Sequence, residues 1–252
     1  MTKAIIHGAG GQMGRVIAEM AASDPNIEIV AGIDVVDDGS HSFPVYTASA
    51  DCSEEADVVI DFSVAKAVDG LLDFCERRKL PVVLCTTGLS EYQLQAVSDL
   101  SKKVAILRSA NMSLGINTLF SLVKKAAAVF GTAGFDIEIV EKHHNKKMDA
   151  PSGTAIALAD AMNEALDNRF HYTYDRSGRR ERRDPVEIGI SAVRGGNIVG
   201  EHEVIFAGTD EVITLTHQAT SRGVFGKGAI EAAKFLAGKP AGMYDMLDVI
   251  GD

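Results

Sequence analysis

Short apolar runs alternate with amphipathic segments over the first part of the chain. The apolar runs predict strands, and the amphipathic segments, in which apolar residues recur every three or four positions, predict helices. The predicted strands cover residues 4–7, 28–33, 57–61, 81–85 and 104–107, and the predicted helices cover 15–22, 65–78 and 92–102. Strands that alternate with helices are typical of a doubly wound, mainly parallel sheet, in which ligands bind beyond the carboxyl ends of the strands.

The pattern changes after residue 115. The sequence predicts a long helix at 116–130, a strand at 135–140, a helix at 155–166, alternating strand segments at 186–193, 198–206 and 211–217, and a helix at 229–236. The three alternating segments have no helix between them and are joined by turn-forming residues, which predicts an antiparallel, α+β half. An apolar tail at 243–250 is expected to return to the first domain.

A glycine turn, Gly8-Ala-Gly-Gly-Gln-Met-Gly14, joins the first predicted strand to the first helix. Gly8 permits a tight turn, Gly11 lets the backbone approach a pyrophosphate, and Gly14 allows close packing of helix on strand. Asp34 follows about twenty positions later, at the end of the second strand, where it would accept hydrogen bonds from ribose hydroxyls. This arrangement predicts dinucleotide binding, although a purely structural glycine turn is the alternative.

The residues around Asp34 predict which dinucleotide is preferred. Val35 and Val36 follow Asp34, so no adjacent cation is ready for a 2′-phosphate, and the carboxylate would repel one. We therefore expect NADH to be preferred over NADPH. Arg15, one position beyond the glycine turn, is the residue that could undermine this preference.

Three further polar or small clusters follow predicted strands, at residues 61–63, 85–88 and 109–113. Each cluster alone is typical of an ordinary turn. Together they supply what the nicotinamide end of a dinucleotide would need.

The stretch from Glu141 to Ala155 is the richest in candidate chemistry. His143, His144, Lys146 and Lys147 lie between a predicted strand and a predicted helix that starts near Pro151 with Ser152 as its cap. A helix N-terminus favours anions, so this stretch predicts a site for a small acid. A satisfied polar cluster is the alternative.

A zinc site is not expected in this stretch. Adjacent residues on an extended strand, such as His143 and His144, point to opposite faces, and no third ligand stands at metal spacing. His202 and His217 lie in predicted strands, and we interpret both as structural.

Composition narrows the class of protein. The 252 residues are 46% hydrophobic and 24% charged, which predicts a soluble globular protein. The sequence has neither a cationic leader nor about 18 consecutive apolar residues, so we expect neither secretion nor a membrane partner. The three cysteines are widely spaced, which fits a reducing cytoplasm.

The net charge of −10 opposes nucleic-acid binding, although six arginines gather between Arg169 and Arg183. We interpret that segment as a solvated loop. A subunit contact or recognition of an anionic ligand are the alternatives.

The stretch Glu141-Lys-His-His-Asn-Lys-Lys-Met-Asp-Ala-Pro-Ser-Gly-Thr154 closely resembles the E-x-H-H-x-x-K-x-D-x-P-S-G-T motif of the 4-hydroxy-tetrahydrodipicolinate reductase (dihydrodipicolinate reductase) family. The resemblance extends over the whole chain. It includes the glycine turn, Thr86-Thr-Gly88, Ala110-Asn-Met-Ser-x-Gly115 with Asn117, Val199-Gly-Glu-His202 and Tyr244-Asp-Met.

The resemblance implies a Rossmann-like dinucleotide-binding domain at 1–114 and 223–252. It also implies a substrate-binding and tetramerisation domain with an open mixed sheet at 115–222, usually in a homotetramer. The implied reaction transfers a hydride from NADH or NADPH to a cyclic, dicarboxylated imine in the diaminopimelate and lysine pathway.

The resemblance also implies roles for individual residues. The implied catalytic residues are His143, as proton donor or acceptor, and Lys147; the implied substrate contacts are His144, Ser152, Gly153 and Thr154. The implied cofactor contacts are Gly8, Ala9, Gly10, Gly11, Gln12, Met13, Asp34, Cys85, Thr86, Thr87, Ser109, Ala110, Asn111 and Met112. No metal is implied.

Two positions depart from the family pattern. Cys85 replaces the usual glycine before Thr86-Thr-Gly88, and Val35 stands where members that use both cofactors often carry a cation. The second departure supports the NADH preference.

Two other functions compete with this one. Another two-domain NAD(P)-dependent dehydrogenase, acting on an amino acid or a semialdehyde, would not explain the paired histidines and the lysine. A non-catalytic nucleotide-sensing protein would be expected to lose that cluster, which is intact.

Overall fold

The computed structural model describes residues 1–251. The chain divides into two compact units, Met1–Leu114 with Gly223–Asp252, and Gly115–Arg222. We call them unit 1 and unit 2. None of the helices described for residues 1–251 has both the length and the apolar character that crossing a membrane requires.

Unit 1 is built on a seven-stranded sheet in which every paired strand is parallel. Its strands are β1 (Thr2–His7), β2 (Ile27–Ile33), β3 (Val45–Tyr46), β4 (Val58–Asp61), β5 (Val82–Leu84), β6 (Ala105–Leu107) and β12 (Gly242–Tyr244). Its helices are α1 (Gln12–Ala21), α2 (Ala65–Arg78), α3 (Glu91–Leu100), α6 (Gly223–Leu236) and α7 (Met246–Ile250), with a short 3₁₀ helix at Ser49–Asp51. The spatial order is β12-β6-β5-β4-β1-β2-β3.

Helices cover both faces of this sheet. Successive side chains of a buried parallel strand point to opposite faces, so both faces are apolar and must be covered. Ile6 of β1 packs in one apolar layer with Ile17 of α1 and Ile230 of α6. Ile5, its neighbour in β1, packs in the opposite layer with Leu71 of α2. This architecture confirms the predicted doubly wound fold.

Unit 2 contains a five-stranded mixed sheet. Its strands are β7 (Asp136–His143), β8 (His171–Thr173), β9 (Glu187–Arg194), β10 (Gly200–Ala207) and β11 (Val212–Ala219), and its helices are α4 (Leu114–Phe130) and α5 (Gly153–Glu164). The spatial order is β11-β10-β7-β9-β8. The apolar core of the unit contains Ile137 and Ile139 of β7 together with Leu158 and Met162 of α5.

The strand pairing in unit 2 corrects the purely antiparallel arrangement predicted from the alternating segments. β10 and β11 form the expected antiparallel pair, but β9 does not pair with β10. β7 lies between them, antiparallel to β10 and parallel to β9. The Gly195-Gly196 turn therefore begins a connection over β7 rather than a hairpin, and the mixed sheet implied by the family resemblance is confirmed.

The arginine-rich segment is only partly solvated. Arg183 donates to carboxylates of Asp136 and Glu138 and to the carbonyls of Ile137 and Glu187, with a side chain only 16% exposed. Its guanidinium thus ties the segment to β7 and β9. Arg176 forms an ion pair with the buried Glu187, whereas Arg180 and Arg182 are both exposed.

Candidate active site

The glycine turn of unit 1 has the close packing that its sequence predicts. Gly8 has a φ of +86°, and a Cβ there would lie 2.5 Å from the carbonyl oxygen of Phe62. A Cβ at Gly14 would lie 2.3 Å from the carbonyl oxygen of Gly8. Only glycine satisfies both positions, because left-handed backbone and direct backbone contact leave no room for a side chain.

A cavity of about 780 Å³ lies beside this turn. Gly8, Gly10, Gly11 and Asp34 line it, so four of the predicted cofactor contacts are brought together. Its size is in the range of small-molecule and cofactor sites. Ala9, Gln12 and Met13 belong to the same turn but are not among its lining residues.

The remaining predicted cofactor contacts follow β5 and β6. Cys85 and Thr86 come directly after β5, and Thr86 is buried with its Oγ1 accepting a hydrogen bond from Ser63 N at 3.1 Å. Burial raises the pKa of the Cys85 thiol well above its usual range, so this side chain is uncharged. Thr87 is exposed, and residues 109–112 (Ser109, Ala110, Asn111, Met112) follow β6.

Asp34 is held in place by backbone amides. Its Oδ2 accepts from Gly10 N at 2.8 Å, and its Oδ1 accepts from Val35 N at 2.7 Å. Arg15, whose position raised doubt about NADH preference, forms an ion pair with Asp38 and donates to Ser40 Oγ at 2.8 Å. The guanidinium is therefore engaged by the loop that follows β2.

A buried pair that the sequence analysis missed lies at the carboxyl ends of β1 and β4. His7 Nδ1 and Asp61 Oδ1 are 2.7 Å apart, and Asp61 is fully buried. The second oxygen of Asp61 has no hydrogen-bond partner among residues 1–251. The parallel register pairs His7 directly with Asp61, and a separation of 54 positions conceals this pair in the sequence.

The histidine-rich stretch of unit 2 connects β7 to α5, as predicted. β7 ends at His143, Ser152 is the N-cap, and α5 begins at Gly153, two residues after Pro151. The Ser152 Oγ accepts a hydrogen bond from Ala155 N at 3.1 Å, which satisfies one of the free amides at the helix start.

Glu141 lies at the centre of this stretch, with a fully buried side chain. Its Oε2 accepts from His143 Nδ1 at 2.6 Å and from Arg194 Nη1 at 2.8 Å. Its Oε1 accepts from Ser152 N at 2.9 Å and from Arg194 Nη2 at 2.7 Å. Burial alone would raise the pKa of Glu141, but the hydrogen bonds from Arg194, His143 and Ser152 outweigh it and lower that pKa.

His143 is nearly buried, and burial lowers its pKa more than the bond to Glu141 raises it. A Cβ at Gly200 would lie 3.1 Å from His143 Nε2, so the glycine leaves that edge of the ring uncovered by a side chain. His202, from β10, meets His143 edge-on with ring centroids 5.2 Å apart, and its Nε2 is 2.9 Å from Ser152 Oγ. Burial lowers the pKa of His202 to about 4, so this ring is neutral at physiological pH.

The other predicted residues lie in the same connection. Lys147 forms an ion pair with Asp149 at 2.9 Å, and its side chain is 22% exposed. His144 is half-buried, and its buried Nδ1 has no hydrogen-bond partner within the part of the chain that the structure describes. The position of a Cβ at Gly153 has open space around it, and Thr154 occupies the first turn of α5. Within the described part of the chain, no three His, Cys, Asp or Glu side chains are grouped to hold a metal ion.

Sequence reasoning missed Arg194 and interpreted His202 only as a strand residue. The resemblance had picked out Val199-Gly-Glu-His202 as a family pattern, which was the available signal for His202. Arg194 carried no comparable signal, because its role depends on the parallel pairing of β9 with β7.

Both halves of the chain match models of the same protein family. Residues 2–112 match the model of the dihydrodipicolinate reductase N-terminus, and residues 115–250 match that of its C-terminus. The chain belongs to the dihydrodipicolinate reductase family. The family resemblance predicted from the sequence is thereby confirmed.

Relatives in this family are similar over their full length. The chain is 56% identical to the 4-hydroxy-tetrahydrodipicolinate reductase of Caldanaerobacter subterraneus subsp. tengcongensis, over 99% of this chain and 98% of the relative. It is 46% identical to that of Clostridium novyi, with the same coverage.

Solved structures agree with the family assignment. A dipicolinate-bound dihydrodipicolinate reductase from Paenisporosarcina sp. TG-14 superposes with a TM-score of 0.82 at 25% identity, over 99% of both chains. The diaminopimelate dehydrogenase of C. glutamicum superposes with a TM-score of 0.57 at 14% identity, which shows a similar fold alone.

Proposed function

We propose that this protein catalyses the NAD(P)H-dependent reduction of 4-hydroxy-tetrahydrodipicolinate to tetrahydrodipicolinate, in diaminopimelate and lysine biosynthesis. The observation that carries the proposal is membership of the dihydrodipicolinate reductase family across both units, together with the intact cluster around His143 and Lys147. A reduced nicotinamide supplies the hydride when it is bound. The residues of this chain then have to bind the acid, hold it and handle a proton.

His143 is the proposed proton donor. Addition of a hydride to a ring carbon of a conjugated imine leaves an electron-rich enamine, which must take up a proton. A histidine that titrates near neutrality suits this task. The hydrogen bond from His143 Nδ1 to Glu141 and the uncovered edge beside Gly200 support a proton transfer through Nε2.

The two carboxylates of the proposed substrate need fixed positive charge and hydrogen-bond donors. Lys147 supplies an ammonium group within the connection between β7 and α5. The amides of residues 153 and 154 (Gly153, Thr154) lie at the start of α5, where the helix dipole favours an anion. His144 is proposed to orient one carboxylate, and its unpartnered buried Nδ1 supports a role with a ligand.

The cofactor is proposed to bind at the glycine turn of unit 1. The close packing at Gly8 and Gly14 and the lining of the adjacent cavity fit a dinucleotide. NADH preference is proposed because Asp34 presents a carboxylate and Arg15 is engaged by Asp38. NADPH remains a second, weaker cofactor in this proposal.

The remaining parts of the proposal come from the family resemblance. They are a cytoplasmic homotetramer assembled through the sheet of unit 2, with no metal cofactor. Gel filtration with light scattering tests the tetramer. Turnover that persists after dialysis against a chelator tests the absence of a metal.

The direct test follows the oxidation of NADH by absorbance with freshly generated synthase product as substrate, and NADPH in parallel. We expect His143→Gln and Lys147→Ala each to lower kcat by about 100-fold or more, since a positioned acid contributes 10²–10⁴-fold. His171→Gln, an exposed histidine of the same unit, serves as the matched control. Near-normal turnover by both variants would refute the assigned roles, and a strong preference for NADPH would refute the cofactor argument alone.

A further inference from the structure

The buried Glu141 joins three separate parts of unit 2. It receives hydrogen bonds from His143 on its own strand, from Ser152 at the start of α5, and from Arg194 at the end of β9. Glu141 and His143 are two residues apart on a strand, so both side chains point to the same face, the one that Ile137 and Ile139 fill with apolar groups. A carboxylate on that face requires full pairing, because an unpaired buried charge is strongly unfavourable.

The pairing of Glu141 with Arg194 is fork to fork. Two guanidinium nitrogens meet the two carboxylate oxygens at 2.7 and 2.8 Å, which fixes the plane of the carboxylate. Arg194 also donates to the carbonyl of Asp149 at 2.7 Å, and Gly195 N donates to the carbonyl of His143 at 2.9 Å. The end of β9 therefore contacts the connection that carries the proposed catalytic residues at its start and again at Asp149.

This geometry decides which nitrogen of His143 carries a proton. An ionised carboxylate only accepts hydrogen bonds, so at 2.6 Å from Glu141 the Nδ1 must be the protonated nitrogen. Nε2 is then the nitrogen that gains and loses a proton. It is also the atom nearest to the bare position at Gly200.

We infer that Glu141 and Arg194 are positioning residues for the reaction: the carboxylate holds His143 as the Nδ1–H tautomer with Nε2 free, and Arg194 keeps that carboxylate oriented. The inference rests on the proposed function of His143. It assigns roles to one residue of the family pattern and to one residue outside it.

The charged and titratable groups that face His143 come from four elements: Glu141 on β7, Arg194 on β9, Lys147 in the connection, and His202 on β10. Glu141 raises the pKa of His143, whereas the charges of Lys147 and Arg194 lower it. If protonated His143 is the donor, turnover falls as the pH rises through its pKa. Removal of Glu141 should move that fall to lower pH, and removal of Arg194 should move it to higher pH.

The first experiment compares pH profiles of kcat for Glu141→Gln and Arg194→Met. We expect kcat to drop by about 10- to 100-fold in both, as misplacement of a catalytic group does, with shifts of the alkaline limb in opposite directions. Glu138→Gln is the matched control, since Glu138 lies on the same strand and also pairs with an arginine, Arg183, at 3.0 Å. Equal losses in Glu138→Gln and Glu141→Gln, or unmoved limbs, would overturn the inference.

The second experiment does not depend on turnover. The ¹⁵N chemical shifts of the imidazole rings, with His143 assigned by its loss in His143→Gln, report the tautomer directly. We expect a protonated Nδ1 in the unmodified chain and a mixture of tautomers in Glu141→Gln. A protonated Nε2 in the neutral ring of the unmodified chain would overturn the inference, even if the imine proved not to be a substrate.

Arg194→Lys covers the case in which Arg194→Met does not fold. The lysine keeps the charge but cannot make the fork, so it should preserve the position of the alkaline limb and restore only part of kcat. Full activity in Arg194→Lys would show that the fork is not needed and would refute its orienting role. A chain that is inactive in its unmodified form, yet shows the expected tautomer, would refute the proposed function alone.

Discussion

Replacement of Ser152 by alanine removes two interactions at once. The hydroxyl accepts from Ala155 N at 3.1 Å as the cap of α5, and it lies 2.9 Å from Nε2 of His202. Ser152 is 2% exposed and His202 is 4% exposed, so water does not replace the lost partner. Ser152→Ala therefore tests whether the helix start and the histidine cluster are coupled.

The expected cost can be compared with that of a simpler cap. Loss of an N-cap costs about 1 kcal/mol, and a buried polar group left without a partner costs about 1–3 kcal/mol. Ser152→Ala should therefore reduce stability by roughly 2–4 kcal/mol. Ser90 caps α3 through a bond from Gln93 N at 3.2 Å but lies at the surface. Ser90→Ala should cost about 1 kcal/mol, the cap alone.

Hydrogen exchange measured by mass spectrometry on residues 153–164 and 91–100 compares the two helices locally. This choice matters because a chain of two units has no single unfolding free energy. We also expect Ser152→Ala to raise the KM for the imine, since it loosens the amides that are proposed to bind a carboxylate. If Ser152→Ala increased exchange no more than Ser90→Ala does, the coupling to His202 would be refuted.

Three further outcomes are expected. Folding lowers the pKa of His202 from 6.5 to about 4, so the unfolded chain binds that proton first as the pH falls through this window. The stability of unit 2 should therefore drop by up to about 3 kcal/mol. His202→Asn should flatten this pH dependence in urea titrations followed by hydrogen exchange within unit 2. Asp38→Asn removes the ion-pair partner of Arg15 and should lower the KM for NADPH by roughly two- to fivefold. The KM for NADH, measured in parallel, should stay constant, and equal changes in the two KM values would contradict the reasoning. Gly14→Ala should lower the melting temperature, because its Cβ would lie 2.3 Å from a backbone oxygen. Gly70→Ala should raise the melting temperature, because Gly70 lies in a helix with open space around it. A change of melting temperature in the same direction for both variants would contradict the packing argument.

The fold of unit 1 could be predicted because its signals are local. Buried strands show as apolar runs, and the turn at Gly8 needs residue types that few other structures need. The strands that were missed, β3, β8 and β12, have two or three residues, too few to show a period. Their positions depend on neighbouring strands rather than on their own sequence.

The site was only partly predictable for a related reason. His143 and Lys147 stand in one pattern, and a resemblance could find them together. Arg194 reaches Glu141 only because β9 pairs with β7 in parallel register, and periodicity gives no information on which strands pair. The alternating segments therefore predicted the correct strands with one wrong neighbour.

The central position of β7 has a consequence for biosynthesis. β7 is translated before both of its neighbours in the sheet, β9 and β10, and Glu141 precedes Arg194 by 53 positions. Before Arg194 has been translated, burial of the apolar face of β7 would leave the charged carboxylate of Glu141 without its arginine partner, which is strongly unfavourable. We therefore expect unit 2 to bury this face with a charged Glu141 only after β9 has been translated. The same contact that orients the proposed proton donor would thus delay the closure of this half of the chain until residue 194 has been made.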